Sequence, residues 1–186
     1  MSKINPKTLR LVYCATFIAI AVVVGSFLSF YLTESIKFNL APVVIMLTGA
    51  VLGPIWGAAA GGITDLLSFL IGTAAKPGPY FPGFTVTMVL YGLVSGLIFY
   101  RKKHPSEVPS IAKISLGTAL TQTVCSLLIN SFWNYLLYGP TYLVVLTTRL
   151  PSTYIMCAVY IVLMCILLKN KQKMFKSLYM PATARL

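Results

Sequence analysis

Leu11 to Leu32 is a run of 22 residues without a single charge. A helix needs about 20 predominantly apolar residues to cross the hydrocarbon of a bilayer. Within that hydrocarbon each backbone N–H and C=O must find its partner inside the protein, so a run of this kind is read as a helix. It exceeds the ~7–15 residues of a signal-peptide core, and no Ala-x-Ala signature follows it, so it is read as a retained first span.

Further apolar runs follow, and six spans can be drawn over residues 11–32, 38–52, 54–73, 84–100, 114–138 and 151–168. The second is short and carries Pro42, so an irregular start is expected there. Charged residues make up only 10% of the chain, against about 25% in soluble domains. No linker or low-complexity stretch divides the sequence. The expected fold class is therefore an all-α membrane protein, a single integral domain over residues 1–186.

The net charge of +12 would suit a nucleic-acid binder, but its placement points elsewhere. Six spans put both termini on one side of the membrane. That side holds Lys3, Lys7, Arg10, Arg101, Lys102, Lys103, Lys113, Lys169, Lys171, Lys173, Lys176 and Arg185. The other side keeps only Lys37, Lys76 and Arg149. Basic residues concentrate on the cytoplasmic side of membrane proteins, so both termini are expected in the cytoplasm.

With that orientation, the polar and aromatic residues gather at the outer ends of the spans. Ser29 and Tyr31 end the first, Asn39 opens the second and Ser68 ends the third. Asn130, Trp133, Asn134 and Tyr138 belong to the outer part of the fifth, and Arg149 precedes the sixth. The loop Lys76 to Thr85 reads Lys-Pro-Gly-Pro-Tyr-Phe-Pro-Gly-Phe-Thr. Prolines stiffen it and glycines permit its reversals. It carries Tyr80, Phe81 and Phe84, and forms either a stacking surface or a compact turn.

Gly53, Gly57, Gly61 and Asp65 recur at four-residue steps and share one helix stripe. Small residues at this spacing let helices approach closely in lipid. The stripe turns Asp65 into the bundle, either as a ligand or proton site or as a hydrogen-bond partner of a neighbouring helix end. Ala15 and Ala19 form a second small pair, for internal packing or for docking another membrane protein; Gly92 and Gly96 suit internal packing. Arg149 has no acidic residue nearby in sequence. It is either a grip for an anionic ligand or an anchor that reaches the headgroups.

Several chemistries are missing from the sequence. It has no GxxxxGK[ST] phosphate loop, no HExxH, no GxSxG and only three acidic residues. The four cysteines lie in apolar runs without CxxC spacing and read as packing residues, and no metal site is expected. An enzyme is therefore not expected, and any ATP-driven step must come from partners.

Three stretches resemble the substrate-binding S-components of energy-coupling-factor (ECF) vitamin transporters. Phe38-Asn39-Leu40-Ala41-Pro42, continuing through Gly49 to Pro54 and Gly61 to Leu67, matches a pattern shared by S-components in general. Gly78 to Thr85 with Leu90-Tyr91-Gly92, and Asn130 to Trp133 with Leu136 to Gly139 and Arg149, are similar to the folate-specific branch. Ser131 and Phe132 stand where that branch more usually has Thr and Leu, and Pro140-Thr141 where Lys-Ala is typical.

The resemblance implies a six-helix protein of the bacterial cell membrane that captures folate outside the cell and needs no cofactor. It further implies docking, through the Ala15 and Ala19 face, on a transmembrane coupling subunit that carries two cytoplasmic ATPases. Delivery would follow by a toppling of the whole S-component. Phe81, Phe84 and Trp133 are then expected to stack on the flat rings, with Gly83 and Thr85 beside them. Asn39, Asp65 and Asn130 suit the donors and acceptors of the pterin edge, and Arg149 suits either the glutamate carboxylates or the pterin carbonyl. Thiamine, riboflavin or a queuosine precursor are the sibling ligands, and a non-transporting membrane scaffold is the reading from another class.

Overall fold

The computed structural model describes residues 6–27, 30–33, 36–71, 80–101, 107–139 and 141–175. Lys3, Ser29, the loop portion Lys76–Pro79, Lys102, Lys103, His104, Pro140, Lys176 and Arg185 lie outside the described residues.

The chain runs through α1 (Pro6–Phe27), a hairpin of β1 (Phe30–Thr33) and β2 (Ile36–Phe38), α2 (Ala41–Leu52), α3 (Pro54–Leu70) and α4 (Pro82–Phe99). Then come α5 (Ile111–Gln122), a π-helical stretch (Thr123–Ile129) and α6 (Asn130–Tyr138), which continue one another as a single rod. Finally α7 (Tyr142–Lys169) and the short α8 (Lys171–Met174) complete the fold. Counting the rod once gives six long helical stretches among the described residues, as expected. Lys7–Phe27, Pro82–Phe99, Ile111–Leu137 and Tyr142–Lys169 are long and apolar enough to cross a membrane, whereas Ala41–Leu52 is a shorter apolar helix.

Proline and glycine set most of the helix starts. Pro42, Pro54 and Pro82 stand in the first turns of α2, α3 and α4, where a missing N–H costs nothing. Between α2 and α3 the whole connection is Gly53, at φ 107°, a conformation a side chain would strain. The rod ends on Gly139 at φ 73°, the left-handed cap common at helix C-termini.

Two boundaries differ from expectation. The first helix stops at Phe27, and the last residues assigned to that span enter the β-hairpin, pairing Phe30 with Phe38, Tyr31 with Lys37 and Thr33 with Ile36. The aromatic and β-branched residues of this segment favour extended backbone, and strand pairing meets their backbone hydrogen bonds. At the other end, α7 begins at Tyr142 and runs through Pro151. Proline leaves a carbonyl of the preceding turn without its usual donor. Ser152 Oγ donates to the Arg149 carbonyl at 2.9 Å, and the Thr147 and Thr148 hydroxyls bond back to carbonyls of the same helix. Membrane helices tolerate an interior proline where neighbouring helices and local adjustments meet the freed backbone group. Arg149 therefore sits within a helix.

α2 is the axis of the bundle: all its residues except Val44 are buried. Around it pack Cys14, Phe17 and Ala21 of α1, Ala60 of α3, Tyr91 and Phe99 of α4, and Met156, Tyr160 and Met164 of α7. The α3 stripe fulfils its reading as a close-approach face. A Cβ on Gly57 would stand 2.5 Å from the Gly92 carbonyl oxygen, one on Gly61 would collide with the Met88 carbonyl, and one on Gly92 would collide with the Gly57 carbonyl. Backbone meets backbone along this seam, so α3 and α4 form the tightest pair in the fold.

Candidate functional site

The seam delivers Asp65 to the first turns of α4. Thr85 Oγ1 donates to Asp65 Oδ2 at 2.6 Å, and Tyr80 Oη lies 2.5 Å from the same Thr85 oxygen. A threonine hydroxyl has one proton, which Asp65 takes, so Tyr80 is the donor to Thr85. The Tyr80 ring also packs on Phe69 at 5.1 Å. Of the two alternatives left open for Asp65, the hydrogen bond to a neighbouring helix end is present.

Beside this chain stands an aromatic group built from two elements. Phe81 precedes α4 in extended conformation and packs edge-on against Phe84 at 5.6 Å and Trp133 of α6 at 5.7 Å. Gly83 makes this possible: a Cβ there would lie 2.7 Å from the Trp133 ring and collide with Phe81. Trp133 Nε1 donates to Thr87 Oγ1 at 3.1 Å, and Thr87 Oγ1 donates in turn to the Gly83 carbonyl at 3.1 Å. All three aromatic residues are half-buried, so their rings retain accessible faces or edges.

The same face of α4 continues deeper at four-residue steps, with Gly83, Thr87, Tyr91 and Ser95 all buried. Tyr91 Oη donates to Gln122 Oε1 at 2.7 Å. Arg149 of α7 is half-buried. Among the described residues the Arg149 guanidinium forms no salt bridge; Glu107, by contrast, pairs with Arg101 at 2.6 Å. A half-buried cation inside an apolar bundle, without a carboxylate, is an electrostatic opening for a ligand oxygen.

The π-helical stretch turns the rod toward this face. At its end the Asn130 N–H bonds to the Cys125 carbonyl, five residues back. Each such extra residue rotates the later part of the rod relative to the preceding α-helix, and π-turns are frequent at functional sites. Asn130 Oδ1 is buried with no hydrogen-bond partner among the described residues, and the next residue's Ser131 Oγ is in the same condition.

The structure thus brings Asp65, Phe81, Gly83, Phe84, Thr85 and Trp133 together, while Arg149 stands half-buried on α7. Asn39 belongs to another junction. Its Oδ1 accepts from the Ala41 N–H at 3.0 Å, and its carbonyl accepts from the Tyr160 hydroxyl. Its side chain thereby opens α2. Ala15 and Ala19 are exposed on α1, opposite the buried Cys14, Phe17 and Ala21. Thr87, Tyr91 and Gln122 were not anticipated. A polar residue every fourth position along an otherwise apolar span was the signal that marks them.

Comparison with known proteins agrees with this architecture. A family model described as the substrate-specific component of ECF transporters matches residues 9–168. The folate transporter FolT of Clostridium novyi (strain NT) is 28% identical over 160 residues, 86% of each chain. FolT of Leuconostoc mesenteroides subsp. mesenteroides is 26% identical over 144 residues, 75% of this chain and 74% of that one. A crystal structure of FolT bound with folic acid superposes with a TM-score of 0.73 at 24% identity, covering 87% of this chain and 94% of that one. ThiT from Listeria monocytogenes gives a TM-score of 0.60 at 22% identity, over 95% and 100% of the two chains. These two structures share the fold. The six-helix bundle is thus that of a multi-pass membrane transporter subunit and not of an enzyme, and the chain belongs to the ECF transporter substrate-specific component family.

Proposed function

We propose that this chain is a folate-binding subunit of an ECF-type importer. The observation that carries the reading is the aromatic group of Phe81, Phe84 and Trp133, fixed by the Trp133–Thr87–Gly83 hydrogen bonds, together with a half-buried Arg149 on α7 that has no salt bridge among the described residues. Folate is a flat pterin and an aminobenzoyl ring joined to a glutamate with two carboxylates. Rings of that size need stacking partners, and such partners are supplied by a cluster whose faces stay accessible. The carboxylates need a cation, and Arg149 is half-buried with no acid paired to it among the described residues. The two curated relatives, both folate transporters, support the same substrate class.

Two poses meet this chemistry. In one, Arg149 takes the glutamate carboxylates while Asp65 and Asn130 face the pterin edge. In the other, Arg149 faces the pterin carbonyl and ring nitrogen. Pteroate, which lacks the glutamate, separates them: in the first pose Arg149→Ala weakens folate and leaves pteroate unchanged, and in the second it weakens both.

Uptake is completed by partners. The exposed Ala15 and Ala19 lie four residues apart on α1, flanked by exposed Leu11, Val12 and Ile20. Small residues on an outward face permit close approach by another membrane helix. This is the docking face for a transmembrane coupling subunit and its two ATPases, whose hydrolysis drives the toppling that releases folate inside. Binding of the purified chain to a vitamin panel tests the reading. Thiamine, riboflavin or a queuosine precursor binding in place of folate would move the chain to a sibling specificity.

A further inference from the structure

A second feature lies away from the aromatic site, at the opposite end of α4. Between α4 and α5 runs an open groove of about 420 Å³, lined by Ile98, Lys113, Leu116, Gly117 and Leu120. Gly117 is its floor: a Cβ there would stand 2.7 Å from both the Ile98 and Phe99 side chains, so the helices touch where the side chain is missing. Leu116 and Leu120 form the outer wall and are 73% and 56% exposed, the degree expected of side chains facing hydrocarbon. The lining is apolar except at one end, where Lys113 stands one turn before Leu116 and Gly117 on the same face.

Charge placement puts that end on the cytoplasmic side. Among the described residues Lys113 has no ion pair. Of the described acids, Asp65 is bonded to Thr85, and Glu107 is paired with Arg101. The cation at the end of the groove is therefore matched by no carboxylate of the described chain. A lysine that serves only as an interfacial anchor needs no recess beneath it. An apolar recess between helices with a basic residue at its cytoplasmic end has the chemistry of a lipid site.

We propose that this groove holds one acyl chain of an anionic glycerophospholipid of the inner leaflet, with the lipid phosphate on the Lys113 ammonium. The apolar walls take the chain, and the single cation selects an anionic headgroup over a zwitterionic one. The site is independent of folate binding and lies at the other end of α4.

Native mass spectrometry of the delipidated protein tests it, with phosphatidylglycerol and phosphatidylcholine of identical acyl chains as probes. One lysine at a membrane surface corresponds to about a fivefold preference for the anionic lipid. The wild-type protein is expected to retain one phosphatidylglycerol with that preference. Lys113→Gln is expected to remove the preference while leaving acyl-chain uptake. Leu116→Trp, at an exposed position where the fold tolerates bulk, is expected to fill the groove and lower retention of both lipids; Leu120→Trp serves the same purpose. Circular dichroism and monodispersity establish that each variant is folded. Equal retention of the two lipids by the wild type, no retained lipid, or a preference that survives Lys113→Gln would overturn the proposal.

Discussion

Trp133 donates its indole N–H to the Thr87 hydroxyl across 3.1 Å, joining two elements 46 residues apart in sequence. Because Thr87 passes its own proton to the Gly83 carbonyl, the indole is tied to the backbone that carries Phe81. The bond fixes the plane of the Trp133 ring. Trp133→Phe keeps a ring and removes one hydrogen bond, worth about 1 kcal/mol, so folate affinity is expected to fall about fivefold. Trp133→Ala removes the stacking surface and is expected to cost at least about tenfold. Isothermal titration of both variants measures the difference, and equal affinities for Trp133→Phe and the wild type would mean that the bond to Thr87 serves packing alone.

Arg149 carries the electrostatic half of the account. A hydrogen bond to a charged group contributes about 1.5–3 kcal/mol, so Arg149→Ala is expected to weaken folate at least about tenfold. Arg149→Lys keeps the charge without the planar fork and is expected to fall between the two. Folate affinities measured for all three proteins decide the matter. An unchanged affinity in Arg149→Ala would return the residue to the role of an interfacial anchor.

The α3–α4 seam makes a prediction about stability. At Gly92 a methyl group would strike the backbone of Gly57 and Ala58, which cannot swing aside. At Gly62 it would meet only the Val89 Cγ2 at 3.2 Å, a movable side-chain atom. Gly92→Ala is expected to destabilise by about 1–3 kcal/mol or more, and Gly62→Ala by much less. Thermal melts in detergent rank the two, and similar melting temperatures would contradict the reading of the seam as a backbone contact.

The docking face separates binding from transport. Ala15→Leu with Ala19→Leu changes exposed positions of α1 that contribute nothing to the aromatic group. The doubly substituted chain is expected to bind folate as the wild type does and to lose co-purification with the coupling subunit. Retained co-purification would move the docking surface to another helix.

Much of the architecture was readable from charge and hydropathy, since a bilayer permits few solutions for long uncharged runs. The stripe Gly57-Gly61-Asp65 foretold the α3 face because helical spacing alone decides which residues share a side. The ends of the first and last spans were not readable. Pro151 looks like a helix start, yet α7 begins at Tyr142 and runs through it. The hairpin after Phe27 was hidden within an apolar run, where strand and helix residues look alike over a short stretch. At the site, the aromatic residues declared themselves by type. Thr87, Tyr91 and Gln122 did not, because their meaning depends on which helices meet, and the π-turn that rotates Asn130 and Trp133 has no local signature in Thr123–Ile129.

Direct binding of folate to the purified chain, in detergent and without any partner subunit, tests the central claim. Isothermal titration against folate, pteroate, thiamine and riboflavin is expected to give saturable one-to-one binding of folate and no binding of thiamine or riboflavin at the same concentrations. Saturable binding of another vitamin with none of folate, or no binding of any vitamin, would contradict the account.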